Sequence, residues 1–376
     1  MTRISPDVVV AGAGIVGLSA ACELARRGAR CLVFDRDRAG SEASSAAGGI
    51  LSPQSEAPPN SPLLALALRA RDRHVHLAEE LQRETGRSVE HHREGVLSLA
   101  FAREDEARLT ALTEAQRKQG LRAVMVSRED IARLEPAAHP DAIAAALFPD
   151  DHRVDNGRLL EALKTLAMSL GVEIREYTAL RGVETRERRL VAVRTDNERI
   201  EVKTLINALG AWGSQLEGDS PCPPLRPVKG HMLSLVGGPH VRHVVYGNHG
   251  YIVPRGDFRL IVGSTMEEAG FDARVTVEGI SRVLAIATGI APSTKQASVV
   301  ETWIGFRPAT PDGLPVIGKG SAEGIIVAGG LFRNGILLGP LVGEMAAALA
   351  LGADPGHDLT PFNPARFHTG FAMKPA

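Results

Sequence analysis

Several things are scarce in this sequence, and each shortage excludes something. Only three of its 376 residues are cysteine: Cys22, Cys31 and Cys222. They make no CxxC pair and no framework of paired spacings. That excludes a disulfide-stapled scaffold and points to a reducing, intracellular setting, the cytoplasm. Neither sign of charge is in excess: 43 Lys and Arg against 44 Asp and Glu leave a net charge of −1. A chain so balanced carries no bulk field for nucleic acid or an anionic membrane, so neither is expected as a partner. No run of about 18 uncharged apolar residues appears, so no membrane-spanning helix is expected. The opening MTRISPDVVVAG runs almost directly into a strand, so no secretory leader is expected. Internal repeats and low-complexity tracts are missing. No GxSxG or catalytic-cysteine context occurs. His74 and His76 fall on different faces of an expected helix, and His91-His92 lacks ligand spacing, so no metal site is expected.

What is present is a generously apolar chain, 44% hydrophobic and 23% charged, with 39 glycines. At this length it makes one large domain or two interleaved ones, with a core that needs no metal. Residues 7–11 read as a buried strand, 12–17 as a tight turn, and 18–27 as a helix stopped by Gly28. Residues 30–35 make a second buried strand. A small-residue loop covers 40–51. From Ser61, with Pro62 in the first turn, apolar residues recur at Leu63, Ala67, Ala70, Leu77 and Leu81 as on a helix. A charged helix spans 104–119. Asn156 is read as the cap of a further helix, which Gly171 ends. Strands are expected over 172–175, 190–195 and 204–209. The proline-dense stretch 221–227 reads as a crossing between domains. Residues 228–308 are mostly strand-like, interrupted by a helix near 279–289. The chain then returns to a strand at 324–330 and a helix at 334–351. The expected fold class is therefore α/β (α+β, two-domain): a Rossmann-like nucleotide-binding domain with an inserted antiparallel-sheet domain. Residues 1–85, 150–215 and 305–365 are assigned to the first, and 86–149 with 216–304 to the second.

The first turn carries chemistry. GAGIVG matches G-x-G-x-x-G between a strand and a helix. Gly12 permits the tight turn, Gly14 lets the backbone approach a pyrophosphate, and Gly17 lets helix and sheet pack closely. Phosphates would sit on the helix N-terminus formed with Ile15 and Val16. Asp35, followed by Arg36, ends the second strand where a carboxylate accepts from a ribose hydroxyl. This fingerprint indicates a dinucleotide but does not choose between NAD and FAD.

The choice comes from later motifs. SSAAGGIL (44–51), RPVKG (226–230), YIVPR (251–255), GFRPATPDGLPVIG (305–318) and LFRNGILLGP (331–340) occur together and in order. With them the sequence resembles the D-amino-acid oxidase superfamily of FAD-dependent amine oxidases, most closely its glycine-oxidising branch, which serves bacterial thiamine biosynthesis. The resemblance covers nearly the whole chain. It implies FAD as cofactor, held noncovalently, since the C-terminal third has no cysteine for a linkage. It places Ala43, Ser44, Ser45, Gly48, Gly49 and Ile50 around the phosphates and flavin. It places Gly330, Leu331, Arg333, Asn334, Gly335, Ile336 and Leu337 at the flavin as well, where a helix N-terminus would stabilise negative charge on the reduced ring. The backbone near Leu180 falls at the adenine end; read by itself, Leu180 is equally a core leucine.

For the substrate, Arg307 and Arg333 are candidates to hold a carboxylate, because a guanidinium fork matches two oxygens and keeps its proton. Tyr251 could donate to the same group. Trp303, Gly305 and Arg307 share one strand face by the period of two. A structural salt bridge from Arg307 to Asp312 is the alternative. Met266 and His249 match pocket positions of the family. Two positions depart from it: Leu331 stands where relatives carry His, and Gly250 where they can carry Cys, which would widen the pocket. The implied reaction is oxidative deamination of glycine or another small amino acid. A hydride leaves Cα for flavin N5, the imine hydrolyses to keto acid and ammonia, and molecular oxygen becomes hydrogen peroxide. A D-amino-acid or sarcosine oxidase and a quinone-linked amino-acid dehydrogenase remain open. Relatives suggest a homo-oligomer, often a tetramer.

Overall fold

The computed structural model describes residues 6–218, 224–247 and 249–367. Cys222, and residues 221–223 of the proline-dense crossing, lie outside the described residues. The expected opening unit is present as Val8–Ala11, Ile15–Arg26 and Cys31–Phe34. Its helix starts three residues earlier than the apolar pattern suggests, because Gly14 already serves as an extended N-cap.

These strands sit in a six-stranded sheet. Its order is Val316–Lys319, Ile325–Gly329, Leu205–Asn207, Val8–Ala11, Cys31–Phe34, Glu173–Arg175. Every neighbouring pair is parallel except the Val316–Lys319 edge. Alternation along the strands decides what covers each face. Val8, Val10 and Val33 turn toward the helices Ile15–Arg26, Pro62–Thr85, Asn156–Ser169 and Gly335–Ala350. Val9, Ala11, Leu32 and Phe34 turn the other way, onto Leu180, Val183, Leu190 and Val193. That second layer is a small antiparallel sheet of Gly182–Arg186, Arg189–Arg194 and Arg199–Glu201. Only its middle strand is legible in the sequence; the outer two are heavily charged.

Ser61 caps Pro62–Thr85 as expected, its side chain accepting from the Leu64 N–H. The cap of Asn156–Ser169 is Asp155 rather than Asn156: Asp155 accepts from the Arg158 N–H at 2.9 Å. Asn156 is released for a different task, described below.

The second body is an eight-stranded sheet. It runs Ser298–Ala309, Arg226–Val236, Leu260–Gly263, Gly250–Pro254, Val244–Gly247, Val96–Ala100, Ala144–Phe148, Val124–Ser127. It is antiparallel apart from one parallel pair, Val244–Gly247 with Val96–Ala100, where the two inserted stretches of chain meet. Thr276 caps the helix Val277–Ile290, which covers one face against Leu233, Ile252 and Val262. Met232, Tyr251 and Val253 point to the opposite face, toward the first body. The division drawn at residue 304 cuts through Ser298–Ala309, which is one continuous strand paired along its length with Arg226–Val236. Apolar alternation does not break there, so the sequence carries no boundary at that point.

Candidate active site

A cleft of roughly 1470 Å³, open to solvent, lies between the two bodies. At one end stands the glycine turn. Gly12 has φ +97°, and a Cβ there would lie 2.5 Å from the Ala208 carbonyl oxygen. A Cβ on Gly17 would lie 1.8 Å from the Gly12 oxygen, so the helix can approach the strand only as glycine. The helix Ile15–Arg26 starts with no side-chain cap bond, and its first turn faces the cleft. The Ser44 hydroxyl sits over it, accepting from the Ile15 N–H at 3.1 Å. Asp35 accepts from the N–H groups of Ala13 (2.7 Å) and Asp37, so the carboxylate both braces the turn and lines the cleft. Burial pushes its pKa up. Arg36 lies 3.6 Å over the Trp212 ring and pairs with Glu42.

Further in, the wall is backbone and methyl groups: Ala46, Ala47, Gly48, Gly49 and, opposite, Gly305 and Gly329. This small-residue loop is held from behind. Arg255, buried, donates to the carbonyls of Val154 (2.6 Å) and Gly48 (3.2 Å) and to Asn156 Oδ1 (2.7 Å). The Asn156 amide in turn donates to the carbonyls of Ser44 and Ser45, both at 2.9 Å. Trp303 Nε1 donates to the Ala46 carbonyl at 3.1 Å. The helix Gly335–Ala350 also begins uncapped at the cleft, and Asn334, Gly335 and Ile336 line it. It packs on Ile15–Arg26 with glycine contacts that advance in step: Gly339 on Ile15, Gly343 on Val16 and Ser19. The two helices therefore run in the same direction and bring two N-termini to one cleft. Backbone donors, a ribose-type carboxylate and a flat wall without side chains suit a diphosphate joined to a planar ring.

The substrate end is built on the large sheet. The Arg307 guanidinium lies over Gly230, where a Cβ would come within 2.3 Å of both terminal nitrogens. Arg307 donates to the Thr265 carbonyl (3.2 Å) and the Ser264 hydroxyl (2.6 Å), and the Tyr251 hydroxyl faces it. The alternative partner, Asp312, is taken by Arg366. Arg333 is not free. Its Nε and one terminal nitrogen donate to Glu56 at 2.8 and 2.7 Å. Tyr246 donates to the same carboxylate at 2.8 Å. The Glu56 charge raises the Arg333 pKa against the effect of burial, and burial beside Glu56 pushes the Tyr246 phenol up.

Of the expected residues, Gly12, Gly14, Ile15, Val16, Asp35, Arg36, Ala43, Ser44, Gly48, Gly49 and Ile50 line the cleft. So do Tyr251, Arg307, Leu331, Arg333, Asn334, Gly335 and Ile336. Gly17, Ser45, Gly330 and Leu337 lie outside the lining set. Leu180 is also apart from it, buried in the core between the two smaller sheets. Met266 is 57% exposed, with its sulfur 3.8 Å from Arg333. His249 is exposed at φ +66° and does not line the cleft. Gly250 does not widen the pocket. It faces away, and a Cβ there would lie 2.6 Å from Ile286 of the covering helix. Glu56, Trp212, Met232, Tyr246 and Ser264 line the cleft without having been expected.

Among the described residues no helix is long and apolar enough to cross a membrane, and no group of His, Cys, Asp and Glu could hold a metal ion. The family model for FAD dependent oxidoreductases matches residues 7–349. A bifunctional protein ThiO/ThiG of Synechocystis is 34% identical over 98% of the chain. The chain spans only 55% of that relative's length. The glycine oxidase of Geobacillus kaustophilus is 34% identical over 97% of each chain, and its crystal structure superposes with a TM-score of 0.91. An iminodiacetate oxidase from Chelativorans, 28% identical over 95% of this chain and 98% of its own, superposes at 0.85.

Proposed function

The chain belongs to the FAD dependent oxidoreductase family, and from that premise we propose that it is an amino-acid oxidase acting on glycine or another small amino acid. The observation that carries this reading is Arg307: a guanidinium that, among the described residues, donates to neutral acceptors alone, beside a tyrosine, at the end of the cleft that fits the flavin. A half-buried cation with no carboxylate bonded to it calls for an anionic ligand. A substrate carboxylate supplies one, and its two oxygens match the guanidinium fork.

The residues of this chain then divide the work. The glycine turn, Ser44, Asp35 and the two helix N-termini would hold FAD. Arg307 and Tyr251 hold the carboxylate and fix the direction of the Cα–H bond. The amine must be neutral to lend its lone pair, and no side-chain base is required once the substrate is placed. FAD, when bound, would supply the two-electron acceptor for the Cα–H bond and the route by which oxygen is reduced to peroxide. In this reading the six-stranded sheet and its helices form the cofactor domain and the eight-stranded sheet the substrate domain. The setting is cytoplasmic, the pathway thiamine synthesis, and the assembly a homo-oligomer.

The test is oxygen uptake by the FAD-loaded protein with glycine, sarcosine and a set of D-amino acids. Uptake with glycine as the best substrate is the expected result. Best uptake with a bulkier amine moves the substrate and keeps the chemistry. A yellow protein that reduces its flavin with these amines but takes up no oxygen is a dehydrogenase, and the oxidase reading falls.

A further inference from the structure

The substrate end holds two guanidinium groups and one carboxylate. Their pairing is unequal. Arg333 is closed by Glu56 through two bonds of 2.7 and 2.8 Å, and Tyr246 adds a third bond to the same carboxylate at 2.8 Å. Among the described residues, Arg307 donates to the Thr265 carbonyl and the Ser264 hydroxyl and faces the Tyr251 hydroxyl, with no carboxylate bonded to it. Among the described residues lining this end, one positive charge is therefore left over, not two.

Glu56 is also held from behind. It ends a single helical turn, Pro53–Glu56. Ser52, just before that turn, donates to the buried Asp151. Gln54 donates to Gln116 Oε1 at 2.8 Å, and the Gln116 amide donates back to the Gln54 carbonyl at 2.6 Å. Both glutamines are fully buried. A glutamate anchored through its own turn and bonded on both oxygens is a fixed part of the wall.

We infer that Glu56 is the specificity-determining residue that restricts the site to amines with a single carboxylate, by cancelling the charge of Arg333 and leaving Arg307, among the described residues, as the one unpaired guanidinium at the substrate end. This rests on the amino-acid oxidase reading above and deepens it. A substrate carrying a second carboxylate meets the Glu56–Arg333 pair at the far side. It must either lie against the Glu56 charge or displace it, and both are unfavourable in a partly desolvated pocket. Without the Glu56 charge, Arg333 becomes a second fork for a second carboxylate. The substrate class is then glycine, sarcosine and similar neutral-tailed amines, and the class excluded is iminodiacetate-like diacids.

The experiment separates binding from turnover with two ligands that cannot be oxidised at an amine. Methoxyacetate has the shape of sarcosine with one carboxylate, and diglycolate has the shape of iminodiacetate with two. Each is titrated into the FAD-loaded protein while the visible flavin spectrum is followed. Wild type is expected to bind methoxyacetate more tightly. In Glu56→Gln, which keeps hydrogen-bonding groups and removes the charge, the preference should move toward diglycolate by roughly 10- to 100-fold. The ratio of kcat/KM for iminodiacetate over sarcosine should move the same way. Glu56→Asp should keep the wild-type preference. Glu56→Gln combined with Arg333→Gln should lose the gain. If wild type binds methoxyacetate but the preference stays within twofold in Glu56→Gln, the selector role is wrong and the oxidase reading stands. A wild type that prefers diglycolate overturns it equally. If wild type binds neither ligand, the carboxylate-site reading falls, and this proposal with it.

Discussion

At the residue scale the site turns on which charges are already paired. Arg307 was legible because it sits on a strand whose alternation places it with Gly305 and Trp303, and because a guanidinium there has one obvious ligand. Arg333 was equally legible as a residue and misleading as a free group. Its partner Glu56 lies 277 positions away on a one-turn helix, and no local pattern announces it. The same distance problem hides Tyr246, which is 190 positions from Glu56. This asymmetry gives a prediction. In the proposed reading, Arg307→Ala removes the one unpaired guanidinium fork among the described residues at the substrate end, while the residues around the glycine turn are untouched. The protein should stay yellow, and kcat/KM for the best amine should drop roughly 100-fold or more, chiefly through KM. Arg307→Lys should recover only part of this, because a point charge cannot match both oxygens. A variant that loses its colour at unchanged KM would assign Arg307 to the cofactor instead.

At the scale of elements, the helix Gly335–Ala350 shows how a feature that reads as a fault is repaired from elsewhere. Pro340 lies inside it. Proline has no N–H, so the Ile336 carbonyl, four residues back, loses its partner within the helix. His74, on the helix Pro62–Thr85, supplies the missing donor: its Nε2 lies 2.9 Å from the Ile336 oxygen and 3.1 Å from that of Leu337. Burial pulls the His74 pKa down to about 4, so the ring is neutral and carries its proton on Nε2. Sequence periodicity placed His74 and His76 on different faces, and that holds, with His74 buried and His76 exposed. The role of His74 was invisible because it answers a gap in another helix. His74→Leu should therefore leave a buried carbonyl unpaired at about 1–3 kcal/mol. It should also loosen the turn that lines the cleft, so FAD should dissociate more readily. The second change Pro340→Ala restores the N–H and should recover most of the loss. Equal unfolding midpoints and equal FAD release for the single and double variants would show that the histidine is merely packing.

At the scale of the whole molecule, the order of motifs along the chain made the two-body plan legible, because each glycine-bounded strand and each capped helix is a local signal. The junction between the bodies was not legible, since it is built from residues distant in sequence. Residues 91–94 leave the first body and 150–154 return to it, and polar side chains from both gather there. His91 Nε2 lies 3.1 Å from His152 Nδ1. Asp151 is buried, with Ser52 donating to it and an Arg71 nitrogen 3.7 Å away. Burial holds His91 at about 4 and His152 at about 3, with neighbouring arginines adding to the effect, and it pushes Asp151 up to about 7. The signs of these shifts oppose one another. A histidine whose pKa is lowered in the folded protein gives stability that is complete above about 6.5, its ordinary value, and is lost as pH falls toward the folded value. Asp151, raised above its ordinary 3.8, acts in reverse: folding gains as pH falls from about 7 to about 4. Three histidines, with His74 the third, outweigh one aspartate across the shared window. For His74 alone the loss between pH 6.5 and 4 is about 3 kcal/mol. The denaturant midpoint, measured at fixed FAD, should therefore fall steeply as pH drops from 6.5 to 4.5 and stay nearly level from 7 to 8. His74→Leu combined with Pro340→Ala should flatten the slope by about one proton without removing it, since His91 and His152 remain. A midpoint that is level from pH 4.5 to 7 would mean that these rings are as accessible to protons in the folded protein as in the unfolded chain.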